Sequence, residues 1–195
     1  MKRKTILLSL AMVFLMLMMV GVAAADNVAL NKPITYNGTF GGGTDGRVVD
    51  GVFMVRGAPW QTGSLYWYGT VPNIVIDLQG FFKIDSMIVQ ADDNDAYRID
   101  YWDGSAWQTA WNVPNYDSYG WGLQTRPNPA DNTEKHFLAA PITTDKLRFM
   151  AVSGDSCYSV SEIQAFGTVV PLPGAALLLA AGLTGLARMR RKLER

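Results

Sequence analysis

The side chains suited to bond-making are few in this chain. His136 is its one histidine and Cys157 its one cysteine, so a zinc centre built on several histidines is excluded. Gly154-Asp155-Ser156-Cys157-Tyr158 lacks the second glycine of a nucleophile elbow. A glycosidase needs two carboxylates set across a cleft, and no pair stands out among the acids. His136, beside Phe137 in a strand-like stretch, reads as structural, and Cys157 as a small half-buried hydrophobe. Aromatic and amide side chains are the richer resource. Trp60, Gln61, Tyr66, Trp67, Tyr68, Tyr116, Tyr119 and Trp121 fall in or near segments without a clean strand pattern. Ring faces suit the apolar C–H faces of sugars, and Asp, Asn and Gln suit the hydroxyls around them. The chemistry indicated is recognition. The candidate ligand-binding residues are Gln61, Trp67, Tyr68, Asp92, Asp93, Asn94, Tyr116, Tyr119 and Trp121. Trp67 and Tyr68 can equally be read as core, and residues 92–95 as a solvated acidic turn.

The elements that would position these residues are strands. Ile74, Ile76 and Leu78 alternate with Val75 and Asp77; Tyr97, Ile99 and Tyr101 with Arg98, Asp100 and Trp102; and Leu147, Phe149 and Ala151 with Lys146, Arg148 and Met150. Period-2 alternation sends one set to a core and the other outward. Residues 84–90 and 160–166 are further strands. Asp103-Gly104, between 97–102 and 107–111, predicts a hairpin. Gly41-Gly42-Gly43 reads as a flexible surface loop, without the lysine and hydroxyl residue of a phosphate-binding loop. The class is all-β, a sandwich or jelly roll.

The two ends read as addresses. Lys2, Arg3 and Lys4, an apolar run over 6–20 and Ala23-Ala24-Ala25 form a secretory signal peptide, 1–25; an uncleaved anchor is the alternative. From Val169 the chain reads VVPLPGAALLLAAGLTGLARMRRKLER, with five basic residues among its last eight. As a helix, 174–187 would span only about 21 Å, short of a bilayer core of about 30 Å. The domain between, 26–168, has about 143 residues, one domain by size, large enough to bury a core without disulfides. Three of the chain's 17 basic residues lie in the first 25 and five in the last 27, with one of its 17 acidic residues. The domain therefore keeps nine basic and sixteen acidic residues, a net of −7, which disfavours nucleic acid as a partner.

Two resemblances follow. Val170-Pro171-Leu172-Pro173, the apolar run with Gly182 and Gly185, and the arginine-rich end resemble a PEP-CTERM-type sorting signal in its VPLP form, 169–195. That implies processing by an exosortase-type membrane enzyme, transient anchoring in the inner membrane, and residence in the envelope or outside a Gram-negative cell. Leu172 stands where the usual glutamate lies between the prolines; a plain C-terminal anchor is the alternative. Within the domain, Asn27 to Pro33, Asp50-Gly51, Trp60, Pro72 to Leu78, Tyr97-Arg98-Ile99, Asp103-Gly104, Trp107 and Ser161 to Gly167 resemble, in order, a discoidin or coagulation-factor type C domain of the galactose-binding-like fold. The resemblance implies an eight-stranded antiparallel jelly roll with adjacent termini and Trp60 packed inside. It implies a non-catalytic module that binds a glycan, such as exopolysaccharide, or another surface component through end loops. A structural matrix protein without a specific small ligand is the alternative. The galactose-binding pattern is broken: Gln61 replaces the histidine after Trp60, and no arginine follows Val89-Gln90. The resemblance also implies one structural calcium ion at Asp50 and Glu162; otherwise Asp50 starts a turn and Glu162 pairs with an arginine such as Arg148.

Overall fold

A computed structural model describes residues 25–116, 122–171 and 182–183. Residues 1–24 of the expected signal peptide, Tyr119, Trp121, Leu172, Pro173 and nearly all of the basic apolar tail lie outside them. Among the described residues no helix is long and apolar enough to cross a membrane.

Among the described residues ten strands form the domain: β1 (Asp26–Asn27), β2 (Ile34–Asn37), β3 (Phe40–Gly42), β4 (Leu65–Tyr68), β5 (Asn73–Asp92), β6 (Ala96–Trp102), β7 (Trp107–Val113), β8 (Leu123–Arg126), β9 (His136–Ser153) and β10 (Cys157–Val169). Every pairing is antiparallel, in the order β3-β4-β10-β5-β9-β6-β7, with β1 on β10 and β2 and β8 on β5. The fold is the expected β-sandwich. Its two layers share β5 and β9, which run through both. β5 bends where Gln79 takes φ 60°, and its register on β9 jumps between Asp77↔Lys146 and Phe82↔Thr144. The first half of β5 pairs with β2, the second with β10 and β8.

The alternating residues meet in one core. Ile74, Ile76, Leu78, Ile99, Leu147 and Phe149 pack with Leu65, Trp67, Met87, Val89, Ile163 and Ala165. The 103–106 hairpin forms as the sequence predicts, because the Asp103 carboxylate accepts from the Ser105 and Ala106 N–H groups, both at 2.8 Å. Gly41-Gly42 is not a loop: both residues belong to β3, at the sheet edge.

β10 orients the molecule. Its last residues pair with β1, Gly167 opposite Asp26, so both ends of the domain leave together. Its first residue, Cys157, pairs with Tyr68. The turns at 38–39, 69–72, 93–95 and 154–156 therefore gather at the other, distal end, together with the β7–β8 connection, whose Tyr116 donates its N–H to Asp93 O at 2.6 Å.

Candidate functional site

At the distal end, the polar loop is turned inward. Arg126, at the end of β8, is fully buried. Its Nη1 donates to Ala91 O (2.7 Å) and Gln124 O (2.9 Å), its Nη2 to Asp92 O (2.6 Å) and Asp93 O (3.1 Å), and its Nε to Pro114 O (3.1 Å). A guanidinium carries five N–H donors in a fixed fork, and here they hold the turn after β5 in one shape. Tyr116 lays its ring 5.6 Å from this guanidinium and donates its hydroxyl to Pro127 O at 2.7 Å.

The acids of that turn follow it inside. Asp92, Asp93 and Asp95 are all buried, which corrects the reading of 92–95 as a solvated turn and of Asp92 and Asp93 as ligand-binding groups. Asp95 accepts from the Tyr97 hydroxyl (3.1 Å) and from the Asp155 N–H (3.3 Å). Gly154 is required beside it, since a Cβ there would lie 1.7 Å from Asp95 Oδ1. Burial pushes Asp92 up to about 6 and, with the charge of Asp92 adding, Asp95 up to about 7. Asn94, half-buried, reaches the rim and donates to Asp155 at 3.1 Å.

The aromatic residues of β4 divide by strand alternation. Leu65 and Trp67 point into the core, Tyr66 and Tyr68 outward. Trp67 is 1% exposed, stacked on Tyr158 and edge-on to Tyr97 and Phe149. It offers no face to a ligand, a second correction. Tyr68 is 59% exposed. Trp60 is half-buried on the outer side of β4 rather than inside the sandwich, edge-on to Tyr66 (5.4 Å) and Tyr68 (6.0 Å). Gln61 is exposed next to it. The sequence carried a signal for this arrangement, the i, i+2 spacing of Tyr66 and Tyr68. Arg126 gave none, being remote in sequence from the turn it holds.

Asp50 and Glu162 come together, although they are far apart in the chain. Glu162 is fully buried. Its Oε1 accepts from Gly51 N–H and Gln164 Nε2, each at 3.1 Å, while Oε2 has no hydrogen-bond partner. Burial, with the charge of Asp50 adding, pushes Glu162 up to about 8. Asp50 Oδ1 accepts from Val52 N–H at 2.8 Å. Asp50 lines a cavity of about 590 Å³ together with Asn31, Lys32, Arg47, Val52 and Ser161, the residue before Glu162. Arg148 is engaged elsewhere, 2.6 Å from Asp100, so Glu162 does not pair with it. Among the described residues no three His, Cys, Asp or Glu side chains converge on a metal position. His136 stacks on Trp111 at 4.3 Å, and Cys157 is half-buried at the start of β10.

No protein-family model and no curated protein matches the chain. Solved structures do. A fucolectin from striped bass (Morone saxatilis) serum superposes with a TM-score of 0.56 at 12% identity, over 76% of this chain and 51% of that one. A fucose binding module of Streptococcus pneumoniae gives 0.50 at 14% identity, over 73% and 95% of the two chains. A family 89 glycoside hydrolase of Clostridium perfringens gives 0.53 at 16% identity, over 76% of this chain and 15% of that enzyme. The chain has the galactose-binding-like β-sandwich fold.

Proposed function

We propose that this protein is an exported, non-catalytic module that binds extracellular polysaccharide or another glycan of the envelope through the distal end of the sandwich. The observation that carries the reading is the outward aromatic cluster Trp60–Tyr66–Tyr68 at that end, on a fold shared with a fucose binding module and a fucolectin. Aromatic faces with amides nearby are suited to sugar rings and their hydroxyls. The signal-peptide pattern supports export, and the Val170-Pro171-Leu172-Pro173 pattern supports sorting by an exosortase-type enzyme. An anchor at 169–195 would leave from the end of the domain opposite the aromatic cluster, so recognition and attachment do not compete for one surface. A glycan array and pull-downs on exopolysaccharide from the producing cell test the reading. Retention by at least one polymer is expected, and none on any polymer favours a purely structural matrix protein.

Calcium belongs to the same reading. The residues fit it: a buried carboxylate oxygen without a donor and a second carboxylate beside it are the hard oxygen donors that calcium takes. When bound, the ion would supply charge neutralisation and tie the 50–52 loop to β10. Thermal unfolding with and without added calcium checks this. A ligand that binds only the folded state raises Tm; a rise of several degrees is expected, absent in Glu162→Gln. Equal Tm values in the presence and absence of calcium would exclude the site.

A further inference from the structure

We infer that the ligand-binding surface is an open groove along the β3–β4 edge, and that it takes an internal stretch of a linear, uncharged polysaccharide. The inference rests on the glycan-binding reading and names the surface and the ligand class. The groove has a volume of about 430 Å³ and is lined by Gly38, Phe40, Gly41, Tyr68, Val71 and Pro72. That size lies within the roughly 300–1,000 Å³ of small-ligand sites. Its walls are exposed apolar surface: Val71 is 82% exposed and projects beside Tyr68. Isolated exposed apolar side chains are ordinary on protein surfaces, whereas apolar groups converging on one concave surface mark a binding site.

Three features choose the ligand. Tyr68 gives the groove an exposed aromatic ring, and the C–H faces of a pyranose are the apolar surface that such a ring complements; Phe40 closes the groove floor with its ring packed edge-on against Tyr36 and Trp67. The shallowness that leaves Val71 and Tyr68 so exposed suits a chain passing along the surface better than a single sugar held in a closed hole. None of the lining residues is charged, and the domain carries a net charge of −7. A polyanion would be repelled and would find no cation to pair with. Hydroxyl recognition is available at the margin, where Asn37 Nδ2 donates to Asn73 Oδ1 at 3.1 Å on the exposed β2–β5 pair next to Gly38 and Pro72. A hydroxyl there can accept from one amide and donate to the other.

The glycine run gains a purpose in this arrangement. The Tyr66 ring lies flat against β3: a Cβ on Gly41 would come 2.1 Å from Tyr66 Cε2, and one on Gly42 2.9 Å from Tyr66 Cε1. Bare backbone lets Tyr66 settle there, and Trp60 stands edge-on between Tyr66 and Tyr68. The orientation of Tyr68 is thus fixed from behind while its free face borders the groove.

Affinity electrophoresis of the exported protein in gels containing hydroxyethylcellulose, galactomannan, xylan or dextran, with alginate as the polyanion, tests the inference. At least one neutral polymer should retard the wild-type protein and alginate should not. Tyr68→Ala and Val71→Glu, both at exposed positions, should each weaken binding about tenfold or more with unchanged Tm and far-ultraviolet circular dichroism. Loss in both supports the groove whatever Asn94→Ala does. Retention by either overturns it, and if Asn94→Ala then abolishes binding, the glycan reading stands with its site in the loops. Retardation by alginate as strong as by the neutral polymers overturns the ligand class. A wild-type protein retarded by no polymer overturns the groove and the glycan reading together.

Discussion

The distal end carries two adjoining surfaces built in opposite ways, separated by the 154–156 turn. On one side, around Arg126, charged residues are buried and the guanidinium donors are all engaged by backbone carbonyls. On the other, along β3–β4, apolar rings stand in solvent. Each departs from the ordinary partition of residues, but for a different reason. The buried guanidinium is tolerated because carbonyls surround it, so it is accounted for by the fold. Exposed aromatic surface has no such internal account. A side chain's chemical type therefore says less about its role here than whether its natural partners are already present. Asp92 looks like a sugar ligand and serves the turn, its Oδ1 accepting from the Asp93 N–H at 3.0 Å; Tyr68 is left with an open face.

The largest expected effect lies on the buried side. Arg126→Met leaves six carbonyls, those of Ala91, Asp92, Asp93, Asp95, Pro114 and Gln124, without their charged donor and removes the positive charge facing Asp92 and Asp93. Breaking a buried charged network of this kind costs about 3–5 kcal/mol. Urea unfolding should show that loss as a lower midpoint with an unchanged slope. A loss below about 1 kcal/mol would mean that the turn holds itself, and the contrast between the two surfaces would fail.

A smaller effect concerns pH. Asp92 and Asp95 titrate near 6 and 7 when folded and near 4 when unfolded. The folded state thus holds protons that the unfolded state has released. The stability contributed by the protonated forms is present in full below about pH 4 and is lost as pH rises through about 7. Asp95→Asn cannot ionise, and its amide can still meet the Asp155 N–H and the Tyr97 hydroxyl. Whatever its effect on absolute stability, it should flatten the decline of Tm between pH 5 and 8. An unchanged decline would place the titrating group elsewhere.

The aromatic and acidic segments also mark where sequence reasoning stops. Strands at 74–78, 84–90, 97–102, 146–151 and 160–166 were legible because one face of each is apolar, and all fall within β5, β6, β9 and β10. The 103–106 hairpin was legible because its signal is local. In Leu65-Tyr66-Trp67-Tyr68 every residue can be buried, so alternation alone does not say which pair faces in; the aromatic partners Tyr97, Phe149 and Tyr158 decide it. Residues 92–95 read as a solvated turn because polar runs usually are. Only an arginine more than thirty positions away, brought alongside by β8 pairing with β5, draws them inside. The glycine run reads as loop because glycine is poor in strands, until the ring that requires bare backbone is seen above it.

That last feature gives the smallest and most selective test. The three atoms nearest a Cβ at Gly41 all belong to the Tyr66 ring, and its backbone does not need the left-handed region, so Gly41→Ala acts first through contact with that ring. The new methyl group must push the ring away from β3. Overpacking costs about 1–3 kcal/mol in cores, and at this half-exposed position, where the ring can swing outward, about 1 kcal/mol is expected. The displaced ring should also alter the near-ultraviolet circular dichroism that Trp60 and Tyr66 generate together. A double-mutant cycle isolates the contact: in a Tyr66→Ala background, Gly41→Ala should cost nearly nothing. If the two losses simply add, the glycines serve something other than seating Tyr66, and the groove loses the support behind Tyr68 while the buried side of the comparison is untouched.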